Sequence, residues 1–258
     1  MSFDDRLAAL QPDPAGRRWI FVPEDQLSDR IGPLGRSAPE EVGIVLVESE
    51  WKARRRPYHR QRLVTVWSNL RHFALEQAER GVAVRYVRSD WPFGVTLEPL
   101  VGELGPLTMM EPAERELRAD LAPLVERGAI EVVAHEGWLS TREDFVESTG
   151  EDPPWRMDSF YRYMRKKTGL LMDGGTPVGG KYSFDAENRQ PWKGEPAAPA
   201  PPAFENDEIK REVAALVEKD YGAHPGPVDL DAIPATADDA EAAWQWAVDH
   251  ALPVFGPY

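Results

Sequence analysis

Cysteine is absent from this chain. Disulfides, thiolate nucleophiles, cysteine-held zinc and iron–sulfur ligation by these residues are therefore excluded. Histidine is sparse: His59, His72, His135, His224 and His250 are scattered, with no H-x-x-x-H pair, so no metal site is expected. The glycine patterns G-x-G-x-x-G and G-x-x-x-x-G-K-[ST] are missing, and so is the G-x-S-x-G elbow. Neither a standard dinucleotide turn, nor a phosphate loop, nor a hydrolase serine is available, and no catalytic residue is assigned. Basic residues are in deficit, 30 against 44 acidic ones for a net charge of −14. That balance argues against DNA binding by this chain alone, because phosphate affinity comes from Lys and Arg. No apolar run approaches the ~20 residues of a membrane-spanning helix. The start, MSFDDRLAAL, is acidic and lacks the apolar stretch of a secretory signal. The expected location is the cytoplasm.

What is present is ordinary globular material, 42% hydrophobic and 29% charged over 258 residues. Apolar runs in RWIFVPEDQL, EVGIVLVESE, VAVRYVRSD, PLTMMEP and AIEVVAHEG read as five strands, the continuous ones suited to burial on both faces. Leu63, Val66, Trp67, Leu70, Phe73 and Ala74 recur at helical spacing before Gly81, and Leu117, Leu121 and Leu124 mark a second helix. Strands alternating with helices imply a doubly wound α/β domain with a five-stranded, mainly parallel sheet.

Ligands of such sheets sit outside the carboxyl ends of the strands. Glu24, Asp25 and Gln26 follow the first strand, Glu48 to Trp51 end the second, and Glu111 and Pro112 follow the fourth. Asp25 and Gln26 are read as site residues; Glu111 and Glu114 are read as helix-capping carboxylates. Two basic stretches stand out, WKARRRPYHRQR from Trp51 and RYMRKK from Arg162. Each is suited to an anion or an acidic partner face, and the second equally to the C-terminal end of a helix capped by Gly169.

The stretch RKKTGLLMDGGTPVGGKYSFDAENRQPW, residues 165–192, reads as neither helix nor strand. Its aromatics Tyr182, Phe184 and Trp192 mark it as ordered rather than disordered. GEPAAPAPPAFEN beyond it is an extended Pro/Ala linker. Helices are expected around residues 207–220, with Ile209, Val213 and Leu216, and from a capping box at Thr236–Asp239, with Trp244, Val248 and Leu252 in i, i+4 steps.

The segment DSFYRYMRKKTGLLMDGGTPVGGKYSFDAENRQPW resembles the signature of the deoxyribodipyrimidine photolyase-related proteins, the photolyase/cryptochrome branch that includes iron–sulfur bacterial cryptochromes and photolyases. EDQLS, VESEWKA, WSNLRHFALE and MEPAERELR agree with it in order, so the resemblance spans residues 18–258. It implies a Rossmann-like antenna domain at 18–150 after an N-terminal extension at 1–17, an interdomain connector at 151–205, and a helical segment at 206–258 leading to an absent FAD-binding domain. In the connector, Gly174, Gly175, Gly179 and Gly180 would let the backbone turn. Phe184 and Trp192 would anchor it by burial, and Asp185, Glu187, Asn188 and Arg189 would satisfy loop backbone groups.

By the same resemblance, an antenna chromophore, a ribityllumazine or another, would be held by Asp25, Gln26, Glu48, Lys52 and Arg55. Lys52 and Arg55 stand where relatives have a carboxylate and an aromatic, which points to a more anionic chromophore. FAD and the 4Fe-4S cluster have no matching positions and are not expected in this chain. The partner implied is a separate or missing FAD-binding half. With it the protein would serve light-dependent DNA repair, a carbon–carbon lyase reaction, or blue-light sensing; the chain alone is expected to be inactive. A stand-alone α/β ligand-binding or regulatory protein that has lost photochemistry is the other reading.

Overall fold

The structure is a computed structural model that describes residues 1–187 and 191–255. It divides into two compact units, Met1–His135 with Ala200–Trp246, and Glu136–Pro199 with Ala247–Tyr258. The first contains helix α1 (Phe3–Leu10), strand β1 (Arg18–Phe21), the short α2 (Gly32–Gly35), β2 (Val42–Ser49), α3 (Glu50–Arg55) and α4 (Arg60–Glu79). It continues through β3 (Ala83–Ser89), α5 (Phe93–Leu104), β4 (Leu107–Met110), α6 (Arg115–Glu126) and β5 (Ile130–Val133). The five strands lie in the order β3-β2-β1-β4-β5, and every pairing is parallel. The sheet is thus wholly rather than mainly parallel.

Strand side chains alternate between faces, and the core divides accordingly. Ile20, Val22, Ile44, Leu46 and Val84 pack with Leu70, Phe73 and Ala74 of α4 and with Phe3 of α1. Trp19, Phe21, Val45, Val47 and Ala83 pack with Leu97 of α5 and with Leu117, Leu121 and Leu124 of α6. All eight residues of β2 are buried, which its unbroken apolar run requires. Gly43 has a packing reason: a Cβ there would lie 2.6 Å from the Trp19 ring. The chain winds outward from β1 to β3, then returns to place β4 on the other side of β1. The switch point therefore falls between β1 and β4.

Two boundaries differ from expectation. Residues 1–17 are not an appended extension, because Phe3 is fully buried in the core. Its backbone N–H donates to Glu212 Oε2 at 3.0 Å, and the Gln11 amide bonds both backbone groups of Val84 on edge strand β3. Helix α9 (Glu208–Tyr221) does not stand apart either: Val213, Val217 and Tyr221 pack with Leu63, Val64 and Trp67 of α4, and Ile209 joins the core under α1. Hydrophobic spacing locates these helices but says nothing of which surface they cover. Helix α10 (Ala237–Trp246) starts at the expected capping box, Thr236 Oγ1 accepting from Asp239 N while Asp239 Oδ2 accepts from Thr236 N.

The second unit holds α7 (Arg142–Thr149), α8 (Met157–Thr168) and a small hairpin, β6 (Met172–Asp173) with β7 (Thr176–Pro177). Gly174 and Gly175 form its two-residue turn with φ of 52° and 84°, a geometry that excludes most side chains. Gly169 ends α8 in the left-handed conformation. The long glycine-rich segment is organised by Arg165, which is buried, donates to the carbonyls of Leu170, Leu171 and Tyr182, and stacks on Tyr161 and Tyr182. Gly179 admits the Phe184 ring, which a Cβ would meet at 2.5 Å. Trp192 is not buried as an anchor would be: it is 54% exposed, and its indole N–H donates to the Pro196 carbonyl. Glu187 pairs with Lys181 rather than with loop backbone, and Asn188 and Arg189 lie outside the described residues. The expected i, i+4 run after Trp244 gives way to a π-helical turn at Ala247–Ala251. No helix among the described residues is long and apolar enough to cross a membrane.

Candidate functional site

Three strand ends meet at one lysine. Helix α3 follows β2 without a linker, because Ser49 caps it by accepting from Lys52 N at 3.1 Å. That cap sets Lys52 in the first turn, over the carboxyl edge of the sheet. Its Nζ lies 2.7 Å from Oε1 of Glu24, in the loop after β1, and 2.6 Å from Oε2 of Glu114, at the start of α6 after β4. The side chain is 17% exposed. Burial pulls the ammonium pKa down, but Glu24 and Glu114 outweigh it and hold it above its ordinary value. Lys52 thus bridges the two loops that flank the switch point.

Space lies on either side of this bridge. One shallow cleft of about 20 Å³ is walled by Trp51, Arg55, Arg56, Phe93 and Glu116; another of about 20 Å³ is walled by Glu24, Ser49, Arg62 and Trp67. Lys52 and Tyr58 belong to both. Three of the arginines are paired in place: Arg55 and Arg56 share Glu116 at 3.0 Å, Arg54 reaches Glu50, and the Arg55 guanidinium lies 4.6 Å from the Trp51 ring centre. Each cleft as it stands has room for a water-sized group between ring-bearing walls and alternating donors and acceptors.

The five residues expected at the site fall in three places. Lys52 and Arg55 line the clefts. Gln26 is buried and spans the switch point, donating from Nε2 to the carbonyls of Met110 and Glu111 at 3.4 and 3.2 Å, while Asp25 beside it is exposed. Glu48 faces away from the clefts, because it shares the strand face of Ile44 and Leu46 under α1 and α4. There it is fully buried, accepts a bidentate pair from Arg71 at 2.8 Å and a hydrogen bond from the Tyr86 hydroxyl, and lies 3.6 Å from Arg88. Burial raises the Tyr86 pKa well above its ordinary value, and the neighbouring Glu48 carboxylate raises it further. Arg71 also reaches Glu212 of α9 at 2.8 Å, so this cluster joins sheet to helix rather than serving a ligand.

Glu114 is the residue that sequence reasoning misplaced. It occupies the N-cap position of α6 but makes no side-chain cap, its carboxylate being committed to Lys52. Glu116 was missed, and Glu24 was named only as a strand-end residue. The signal was a basic loop, residues 51–56, opposite the acidic EPAERE at 111–116. The inference that Lys52 and Arg55 require an anionic ligand fails with it, because their counter-charges come from Glu24, Glu114 and Glu116.

A wholly parallel sheet wound with helices in this way defines the doubly wound α/β class. The family described as deoxyribodipyrimidine photo-lyase-related protein matches residues 20–232. A (6-4) photolyase of Agrobacterium fabrum is 33% identical over 251 residues, 92% of this chain and 48% of that protein. An uncharacterised protein of Acanthamoeba polyphaga mimivirus is 33% identical over 90 residues, 33% of this chain and 46% of that one. The chain spans about half the length of the curated relatives it matches. It belongs to the deoxyribodipyrimidine photolyase-related family.

Proposed function

We propose that this chain is the antenna and docking part of a photolyase-related protein, acting in light-dependent DNA repair or blue-light sensing together with an FAD-binding half. The observation that carries the reading is the match itself: nearly the whole chain aligns with a (6-4) photolyase, yet it accounts for only 48% of that protein. The crevice at the β1–β4 switch point is the antenna site in this reading, with Lys52, Arg55, Trp51 and Tyr58 lining it. Gln26 fixes the β1 loop to the end of β4, and Asp25 presents a carboxylate at the rim.

Several large side chains are exposed as a docking role would require: Trp138, Leu139 and Trp155 before α8, Trp244 on α10, and Leu252 and Phe255 near the end. Isolated exposed apolar residues need no explanation, but the number of large ones within the second unit suits contact with a partner. The partner in this reading is the FAD-binding half. Purification of the chain from a host that makes flavins and lumazines provides the test. The denatured supernatant should contain up to one ribityl chromophore per chain and no FAD, and the chain alone should not reverse (6-4) photoproducts under light. Stoichiometric FAD together with repair by the chain alone would overturn this division of labour.

A further inference from the structure

Helix α6 covers one end of edge strand β5 and leaves the other end open. Ile130 and Val132 lie on the same face of β5, yet Ile130 is buried with Leu121 and Leu124 of α6 while Val132 is exposed. Val132 is in register with the buried Met109 of β4, so the two side chains form one floor. With Leu121, Val125 and the small Ala122 from α6, they enclose a groove of about 350 Å³. Small-molecule sites begin at roughly 300 Å³, whereas the clefts beside Lys52 hold about 20 Å³ each.

Three charged side chains also line this groove, Glu111, Arg118 and Glu126, and none is in an ion pair among the described residues. Arg118 is fixed at one mouth, where its Nη1 donates to the carbonyls of Pro112 and Ala113 at 2.6 and 3.0 Å. Its Nε and Nη2 are left for a ligand. Glu111 immediately precedes Pro112, so a cation and an anion share that mouth, while Glu126 lies eight residues along α6, about 12 Å away. A purely anionic ligand is opposed by Glu111 and a purely cationic one by Arg118. A ligand that carries both charges on neighbouring atoms, attached to an apolar body, pairs with both and fills the groove.

We infer that this groove is a binding site for a free α-amino acid with a large apolar side chain, its carboxylate on Arg118, its ammonium on Glu111 and its side chain over Met109, Leu121 and Val132. The site is independent of the antenna reading, because it shares no lining residue with the clefts beside Lys52.

Saturation-transfer NMR on the full chain tests it by comparing L-phenylalanine with 3-phenylpropionate, which lacks the ammonium, and with 2-phenylethylamine, which lacks the carboxylate. L-Phenylalanine should bind at least about tenfold more tightly than either, since each analogue forfeits one charge-assisted contact and faces one like charge. Glu111→Gln, at an exposed position, should erase the advantage over 3-phenylpropionate and keep the advantage over 2-phenylethylamine. Ala122→Trp, which fills the groove, should remove binding of all three; Val132→Trp narrows it from the exposed side and should weaken all three should Ala122→Trp fail to fold. Equal binding of the three compounds by the unaltered chain would overturn the inference. So would binding of L-phenylalanine untouched by the groove-filling substitutions, or no binding at millimolar ligand.

Discussion

At the level of single residues, the buried charges are the most consequential features. Arg71 is 1% exposed and holds Glu48, which is 0% exposed, by two hydrogen bonds. Removing one partner of such a pair leaves an uncompensated charge in the interior, at a cost of roughly 3–5 kcal/mol. Arg71→Leu should therefore lower the unfolding free energy measured by urea denaturation by about that amount, and Glu48→Leu added to it should recover a substantial part. A double variant no more stable than the single one would contradict the assignment. Asp207, the N-cap of α9, illustrates pH coupling. Burial pushes its carboxyl up, but the His72 ring, whose Nε2 lies 2.8 Å from Oδ2, and a hydrogen bond from the Lys210 backbone N–H outweigh this and hold it below its ordinary value. A depressed pKa in the folded state contributes stability that is present above the unfolded value, about 3.9, and is lost as pH falls through the folded one. Chemical denaturation repeated from pH 6 down to pH 2 should thus show Asp207→Asn less stable than the unaltered chain at pH 6, with the gap closing in acid. A gap that widens as pH falls would reverse the sign and refute the linkage.

At the level of elements, strands were legible because burial on both faces writes an unbroken apolar run, as in EVGIVLVESE. Helix α4 was legible from its spacing, and the α8 stop from Gly169. Helix α1 was not, because its anchoring rests on Phe3 and on polar contacts more than 70 residues distant, which local pattern cannot carry. The site was half legible for a related reason. Strand ends fixed the crevice, but the direction of Glu48 depends on strand parity against helices not yet placed, and the pairing of Lys52 depends on two loops distant in sequence. The glycine-rich segment after α8 had its turn residues in plain view, whereas its organiser, Arg165, looked like one more cation at a helix end. Arg165→Lys keeps the charge but loses the planar fork that reaches the carbonyls of Leu170, Leu171 and Tyr182. Limited proteolysis should then cut between residues 169 and 183 at least several-fold faster, with the α/β unit left intact; an unchanged cleavage rate would show that Arg165 does not organise the segment.

At the level of the whole molecule, family membership and fold agree, and the crevice at the switch point is where the proposed antenna role would be exercised. The sheet supplies rigid strand ends, the loops supply Glu24, Lys52 and Glu114, and α3 and the 56–59 turn supply Trp51 and Tyr58 as walls. Rigid elements carrying a short polar set are what a bound chromophore needs for a fixed orientation. The Lys52 bridge also has a stated pH range. Its raised pKa means that the stability it adds is fully present below the ordinary lysine value of 10.5 and is lost only as pH rises above it, so the bridge persists through neutrality. The most direct measurement of the central claim is hydrogen exchange on the full chain with and without 6,7-dimethyl-8-ribityllumazine. The account predicts saturable one-to-one binding with slowed exchange confined to the loop after β1, residues 49–58 and residues 111–117. Protection concentrated instead on the apolar groove of Met109, Leu121, Val125 and Val132, or no protection at saturating ligand, would contradict it.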